Sequence, residues 1–208
     1  MLFRSDSDAD TDAIAEAERA YWPYRYKMQQ MFLNTKDNGH ISACIERRKD
    51  LTMLRKFEIL NPAGEVDEKT SLLFCYNRKD KLIPKTWFLN FISHSLDALF
   101  YGYSLIHLGD IYNGDFKELK VVKRWNVSPD RYEVTSFPYN PNGVKFLEDP
   151  QFKDWYVYID TPNEFGVSPC GYGLLWEVSI AEIFLRNLLG FNGDFVEMFA
   201  QPYRVLKS

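Results

Sequence analysis

Cysteine is scarce and dispersed: Cys44, Cys75 and Cys170 are the three in 208 residues. Zinc sites and disulfide frameworks draw on closely spaced cysteines, so this spacing leaves three plain thiols and neither device. Positive charge is not in excess either. With 25 Lys and Arg against 29 Asp and Glu, the net charge is −4, which argues against tight nonspecific wrapping of nucleic acid, because such binding neutralises phosphates with surplus cations. A phosphate cradle of the form Gly-x-x-x-x-Gly-Lys-Ser/Thr is missing. Gly171-Tyr-Gly173 is too short for one and lacks the lysine, which removes ATP hydrolysis by that route. Nor is there a basic start followed by an apolar run, since Met1 to Asp12 is acidic; no secretory signal is expected, and the chain is expected in the cytosol. The best membrane candidate, Leu174 to Phe191, carries Glu177, Glu182 and Arg186. Each costs about 2.5–3.5 kcal/mol at mid-bilayer, so the segment reads as a water-soluble helix. No internal repeat is visible.

Apolar material is plentiful: 46% of residues are hydrophobic and 16% aromatic, enough to build a core. Residues 1–20 read as an acidic mobile tail and the start of a first helix, and 21–208 as a single α+β domain. Helical spacing runs through Met28, Met31 and Phe32 and is expected to stop where Asp37-Asn-Gly39 tolerates left-handed angles. A second helix is expected from Ile41 to Leu51, with Ile41, Ile45 and Leu51 inward and Glu46-Arg47-Arg48-Lys49 outward. Leu54 to Leu60 reads as a strand closed by the turn Asn61-Pro-Ala-Gly64. Val66 to Tyr76 reads as a short helix, and Pro84 as the start of another whose stripe is Phe88, Phe91, Ile92, Leu96 and Leu99.

Beyond Gly102 the period changes to that of strands. Tyr103 to Leu108, Leu119 to Trp125, Tyr132 to Ser136 and Trp155 to Ile159 are expected strands of an antiparallel sheet, with Asn113-Gly114 as a hairpin turn and Pro138 to Gly143 as a loop or hairpin tip. After a glycine loop, Leu174, Leu175, Val178, Ala181, Phe184, Leu185, Leu188 and Leu189 fill one broad helical face. A second short helix carrying Glu197 is expected to end before Pro202. The order is helices, sheet, helices, without the βαβ alternation of a nucleotide-binding fold.

Candidate chemistry is thin. Ser93-His94-Ser95 lies in an apolar helix, where adjacent side chains point about 100° apart and form no dyad. His40 and His107 have no second ligand at metal spacing. Asp110, Asp115, Asp130, Asp149 and Asp154 neighbour turn residues, where aspartate caps the chain. A metal-dependent nuclease assembled from such acids is the enzyme alternative, and a monomeric protein-binding module the other. The basic clusters at Arg47-Arg48-Lys49, at Arg78 to Lys81 and at Lys117 to Arg124 read as solvated faces.

Three segments and their order carry a resemblance: Tyr101-Gly102 closing a helix before a strand; Gly171-Tyr-Gly173-Leu174-Leu175 opening a long helix; and Glu197 before Pro202. With the arginine-bearing helix at Arg47-Arg48-Lys49, they make Trp22 to Lys207 similar to the wing region of phage portal proteins, in particular the Mu-like branch. The resemblance implies a structural protein and not an enzyme, with no cofactor and no metal. It implies a homo-oligomeric ring, dodecameric in the family, at the capsid vertex of the virion, through which double-stranded DNA passes without sequence recognition. It implies as partners the terminase large subunit, the capsid and head-tail adaptor proteins. Arg47, Arg48 and Lys49 are then expected to face neighbouring subunits or the capsid. The family commonly has glycine where this chain has Ala200. Portal polypeptides also continue into stem, clip and inner channel segments, whose residues have no positions here.

Overall fold

The structure, a computed structural model, describes residues 26–78, 81–136, 140–162 and 170–199. The acidic segment 1–20, the tip at 137–139 and Pro202 lie outside the described residues. Helix α1 spans Tyr26–Lys36 and α2 spans Gly39–Met53. The break between them falls where expected but is made differently. Asn38 stays extended (φ −67°) and its side chain accepts the amides of His40 and Ile41, so the turn is an N-cap of α2 and not a left-handed stop. Helix α3, Glu68–Phe74, is capped by Asp67, whose carboxylate takes the Thr70 amide and hydroxyl at 3.1 and 2.6 Å. Those two bonds hold the Asp67 carboxyl below its ordinary range. The expected strand at Leu54 to Leu60 is absent: Leu60 and Val66 form one isolated bridge around the Asn61 turn.

The expected helix to Tyr76 ends at Phe74, because the chain turns into a hairpin of β1, Cys75–Arg78, with β2, Lys81–Pro84. Pro84 therefore closes a strand, and α4 begins at Thr86 and runs to Tyr101. Strand β3, Tyr103–His107, is the centre of a three-stranded antiparallel sheet. It pairs with β10, Tyr156–Asp160, on one side and with β6, Lys120–Val121, on the other. Between β3 and β6, β4 (Ile111–Tyr112) and β5 (Asp115–Phe116) form the hairpin expected at Asn113-Gly114, both at positive φ as a type I′ turn requires. Strand β6 is shorter than the alternation suggested, because Arg124–Asn126 coil into a 3-10 turn that takes Trp125 out of the ladder. A second antiparallel sheet orders β7 (Val127–Ser128), β8 (Glu133–Ser136) and β9 (Asn140–Lys145). The expected meander is thus divided among separate sheets. The class is mixed α+β, as the sequence indicates.

The last helix, α5, runs unbroken from Leu174 to Phe199. The second short helix expected around Glu197 is its continuation, because Gly190 and Gly193 cost only about 1 kcal/mol each in a helix and carry no second helix breaker beside them.

Two apolar cores meet in the middle of the chain. Met28, Met31, Phe32, Ile45, Phe100, Tyr101, Leu175 and Ile183 form the helical core. Tyr103, Leu105, Val127, Phe146 and Cys170 form the core under the sheet, flanked by Tyr132, Tyr156 and Tyr158. Tyr101 and Tyr103 belong to different cores, so the crossing point is Gly102. Several residues of the expected apolar faces are in neither: Leu51, Leu99, Leu174, Val178, Phe184, Leu185, Leu188 and Leu189 are exposed.

Candidate functional site

The glycines singled out in sequence come together in space. Gly102 caps α4 at φ +89° and donates to the Ala98 carbonyl at 2.8 Å. Its own carbonyl accepts the Thr161 amide and hydroxyl at 2.9 and 3.0 Å, and Thr161 in turn accepts the Gly171 amide at 2.8 Å. A Cβ on Gly102 would lie closer than 3.0 Å to the Gly171 carbonyl oxygen, and one on Gly173 (φ +79°) closer than 3.0 Å to the Phe100 carbonyl and the Gly102 amide. Three glycines thus let the end of α4 and the start of α5 touch backbone to backbone. Tyr101 and Leu175 fasten the junction from the helical core, Tyr101 edge-on to Phe32 and Leu175 1% exposed. Leu174 faces outward. Glu197 sits more than twenty residues along α5 and does not join the cluster.

Beneath Tyr101 lies an ion triad. Asp97 of α4 takes Lys49 Nζ on Oδ1 and Arg124 Nη2, at 2.9 Å, on Oδ2. The Arg124 guanidinium carbon lies 3.8 Å from the centroid of the Tyr101 ring, a cation–π contact. Lys49 is 6% exposed, which removes it from the outward face expected for Arg47-Arg48-Lys49; only the two arginines remain there, exposed and without an ion pair among the described residues. Two sequence signals pointed to this triad. Lys49 falls one turn after the buried Ile45, and Asp97 is the single charged residue within α4.

His94 lies one turn before Asp97 on the same helix. Burial pushes its pKa below the ordinary 6.5; Asp97 pulls it back up, and Lys49 and Arg124 oppose Asp97. Its neutral form is therefore favoured by folding. Stability is full above the unfolded-state pKa and falls as pH drops toward the folded one, because the unfolded chain takes up the proton first. Urea midpoints should decline from pH 7 to pH 5.5 in the native protein, and His94→Gln should flatten that slope. Ser95 spends its hydroxyl on the Phe91 carbonyl at 2.7 Å, the ordinary back-bond of a helical serine.

Helix α5 is anchored along its first half by polar contacts with α1 and with Asn38, the N-cap of α2. Ser179 Oγ meets Thr35 Oγ1 at 2.7 Å, Glu182 accepts Asn38 Nδ2 at 3.0 Å and Arg186 Nε at 2.8 Å, and Arg186 Nη2 reaches the Asn34 carbonyl at 2.9 Å. Burial works to raise the Glu182 pKa, but the bonds from Asn38 and Arg186 outweigh it and the carboxyl stays below its ordinary range. The buried side of α5 is therefore Leu175, Ser179, Glu182 and Ile183. The more apolar side points away. Phe184, Leu188, Phe191, Phe195 and Met198 repeat at spacings of four and three, a helix seam of heptad form, and all are exposed, Phe184 at 62% and Met198 at 69%. From Leu188 to Phe199 every residue is exposed. Soluble monomers seldom show so long an apolar face, and such faces mark sites of association.

Among the described residues, no group of three or more His, Cys, Asp or Glu could hold a metal ion. Cys44 is exposed, Cys75 and Cys170 are buried, and all three are unbridged. Asp115, one of the acids weighed for a nuclease, instead accepts Lys85 Nζ at 2.6 Å and Trp87 Nε1 at 3.1 Å, bonds that keep its carboxyl below the ordinary range. No described helix is long and apolar enough to cross a membrane.

Compared with known families, residues 29–208 match the model described as the portal protein of Mu bacteriophage. No curated protein and no solved structure matches the chain.

Proposed function

Since this chain belongs to the Mu bacteriophage portal protein family, a structural family, we propose that it is a subunit of the portal ring at the capsid vertex. There it lines the conduit for DNA packaging and ejection and carries the attachment points for the terminase large subunit, the capsid and the head-tail adaptors. The described residues correspond to the wing of that ring. The observation that supports the reading is the apolar seam of α5, which the described residues leave uncovered and which copies around a ring would bury. The charge agrees: a net −4 over these 208 residues, multiplied around a ring, suits a conduit along which phosphates slide without being gripped.

Mass photometry of the protein as its gene encodes it tests this. A closed ring is expected, twelve copies by analogy with the family. A monodisperse monomer at micromolar concentration would sink the reading and favour a protein-binding module. Cleavage of nucleic acid that a chelator abolishes would favour a nuclease.

A further inference from the structure

Helix α2 and helix α4 leave a groove of about 380 Å³ between them, lined by Arg48, Leu51, Thr52, Leu96, Leu99 and Phe100, with Leu174 at one end. Its lining is largely apolar and includes two cations, Lys49, which is held by Asp97, and Arg48, which is exposed and has no ion pair among the described residues. Leu51 and Leu99 are about half exposed, at 56% and 50%. The other unpartnered surface of the chain has the opposite character. The seam of α5 is flanked by the acid Asp194, exposed and without an ion pair among the described residues. An amphipathic helix laid between two helices is a standard recognition mode, and here apolar meets apolar and anion meets cation.

Among the described residues, nothing of the same chain covers the exposed seam of α5. Helix α5 starts at the groove, through Leu174; Phe199 lies thirteen positions beyond the last clamp, at Arg186, which carries the tip about 20 Å further along the helix axis at 1.5 Å per residue. The groove and the seam are different surfaces, so their union between copies is head-to-tail, the type of contact that generates rings. We propose that the distal half of α5, residues 184–199, docks in the α2–α4 groove of the adjacent subunit, with Asp194 placed against Arg48. This rests on the ring reading and adds to it which surfaces meet and which charges set the register.

The test uses the gene-encoded protein with benzoylphenylalanine at position 99, assembled from an equal mixture of ordinary and ¹⁵N-labelled chains and irradiated. Mixed-isotope cross-links from position 99 to peptides within 184–199 are expected. Arg48→Glu and Asp194→Arg should each lower their yield about tenfold, and the two together should restore it to within about twofold, as a direct charge pair requires. Rings that form while position 99 cross-links to residues 1–25 of its own chain, or to any other segment, overturn the contact and leave the ring standing. So does a double reversal that restores nothing. A chain that stays monomeric overturns the ring reading and this contact with it.

Discussion

Gly102→Ala and Gly173→Ala should each destabilise the protein by about 3–5 kcal/mol. Positive φ costs a residue with a side chain about 1–3 kcal/mol, and a methyl forced against backbone atoms that cannot rotate away adds about 1–3 kcal/mol of overpacking. The obstructing atoms are the Gly171 carbonyl for Gly102 and the Phe100 carbonyl for Gly173. Both substitutions push apart the same two segments, so the double variant should cost clearly less than the sum. Gly190→Ala supplies the contrast. It stands in α5 with nothing within 4 Å of its would-be Cβ, and the change should stabilise by about 0.5–1 kcal/mol. Urea unfolding followed by far-ultraviolet circular dichroism measures all four. Equal losses at positions 102 and 190 would show that the junction is not packed as described.

The other large effect belongs to the ion triad. Asp97→Ala leaves Lys49 and Arg124 charged and without their anion, and removing one partner of a buried pair costs about 3–5 kcal/mol. Lys49 and Asp97 side chains are 7% and 13% exposed, so solvent screens little of this. The charges themselves add less than their loss suggests. Replacing Lys49, Asp97 and Arg124 together by Met, Leu and Met should land within about 2 kcal/mol of the native protein, since well-packed apolar groups serve as well as buried ions. A loss under about 1 kcal/mol for Asp97→Ala in the same unfolding assay would mean that water reaches the triad.

Local chemistry explains what was legible in the sequence. Asn113-Gly114 dictates its hairpin because few residues accept two consecutive positive φ angles. The Gly102 and Gly171-Tyr-Gly173 signals marked positions of close backbone approach, though nothing in the linear order said that they approach each other. Misreadings arose where tertiary context decides. An apolar position in a helix says that something covers it, not that the same chain does; hence Leu99, at the end of its expected stripe, and most of the broad face from Leu174 to Leu189 are exposed. A lysine in a basic run says nothing of a carboxylate forty-eight residues away, so Lys49 was placed on the surface with Arg47 and Arg48. The hairpin at Cys75 to Pro84 escaped because it alternates polar and apolar residues only over four positions on each side, too short to outweigh the helical run of Leu72, Leu73 and Phe74.

Helix α5 also has a mechanical character. It is clamped by backbone contact at its base and by Arg186 and Glu182 at its middle, and its distal half overhangs as a cantilever. A tilt of about 6° at the clamp moves a tip about 20 Å away by roughly 2 Å, a displacement comparable to the helix shifts that switch subunit interfaces. In a ring where each tip rests on the next body, such a tilt cannot stay with one subunit. Strain applied to one position on the circumference is handed on around it.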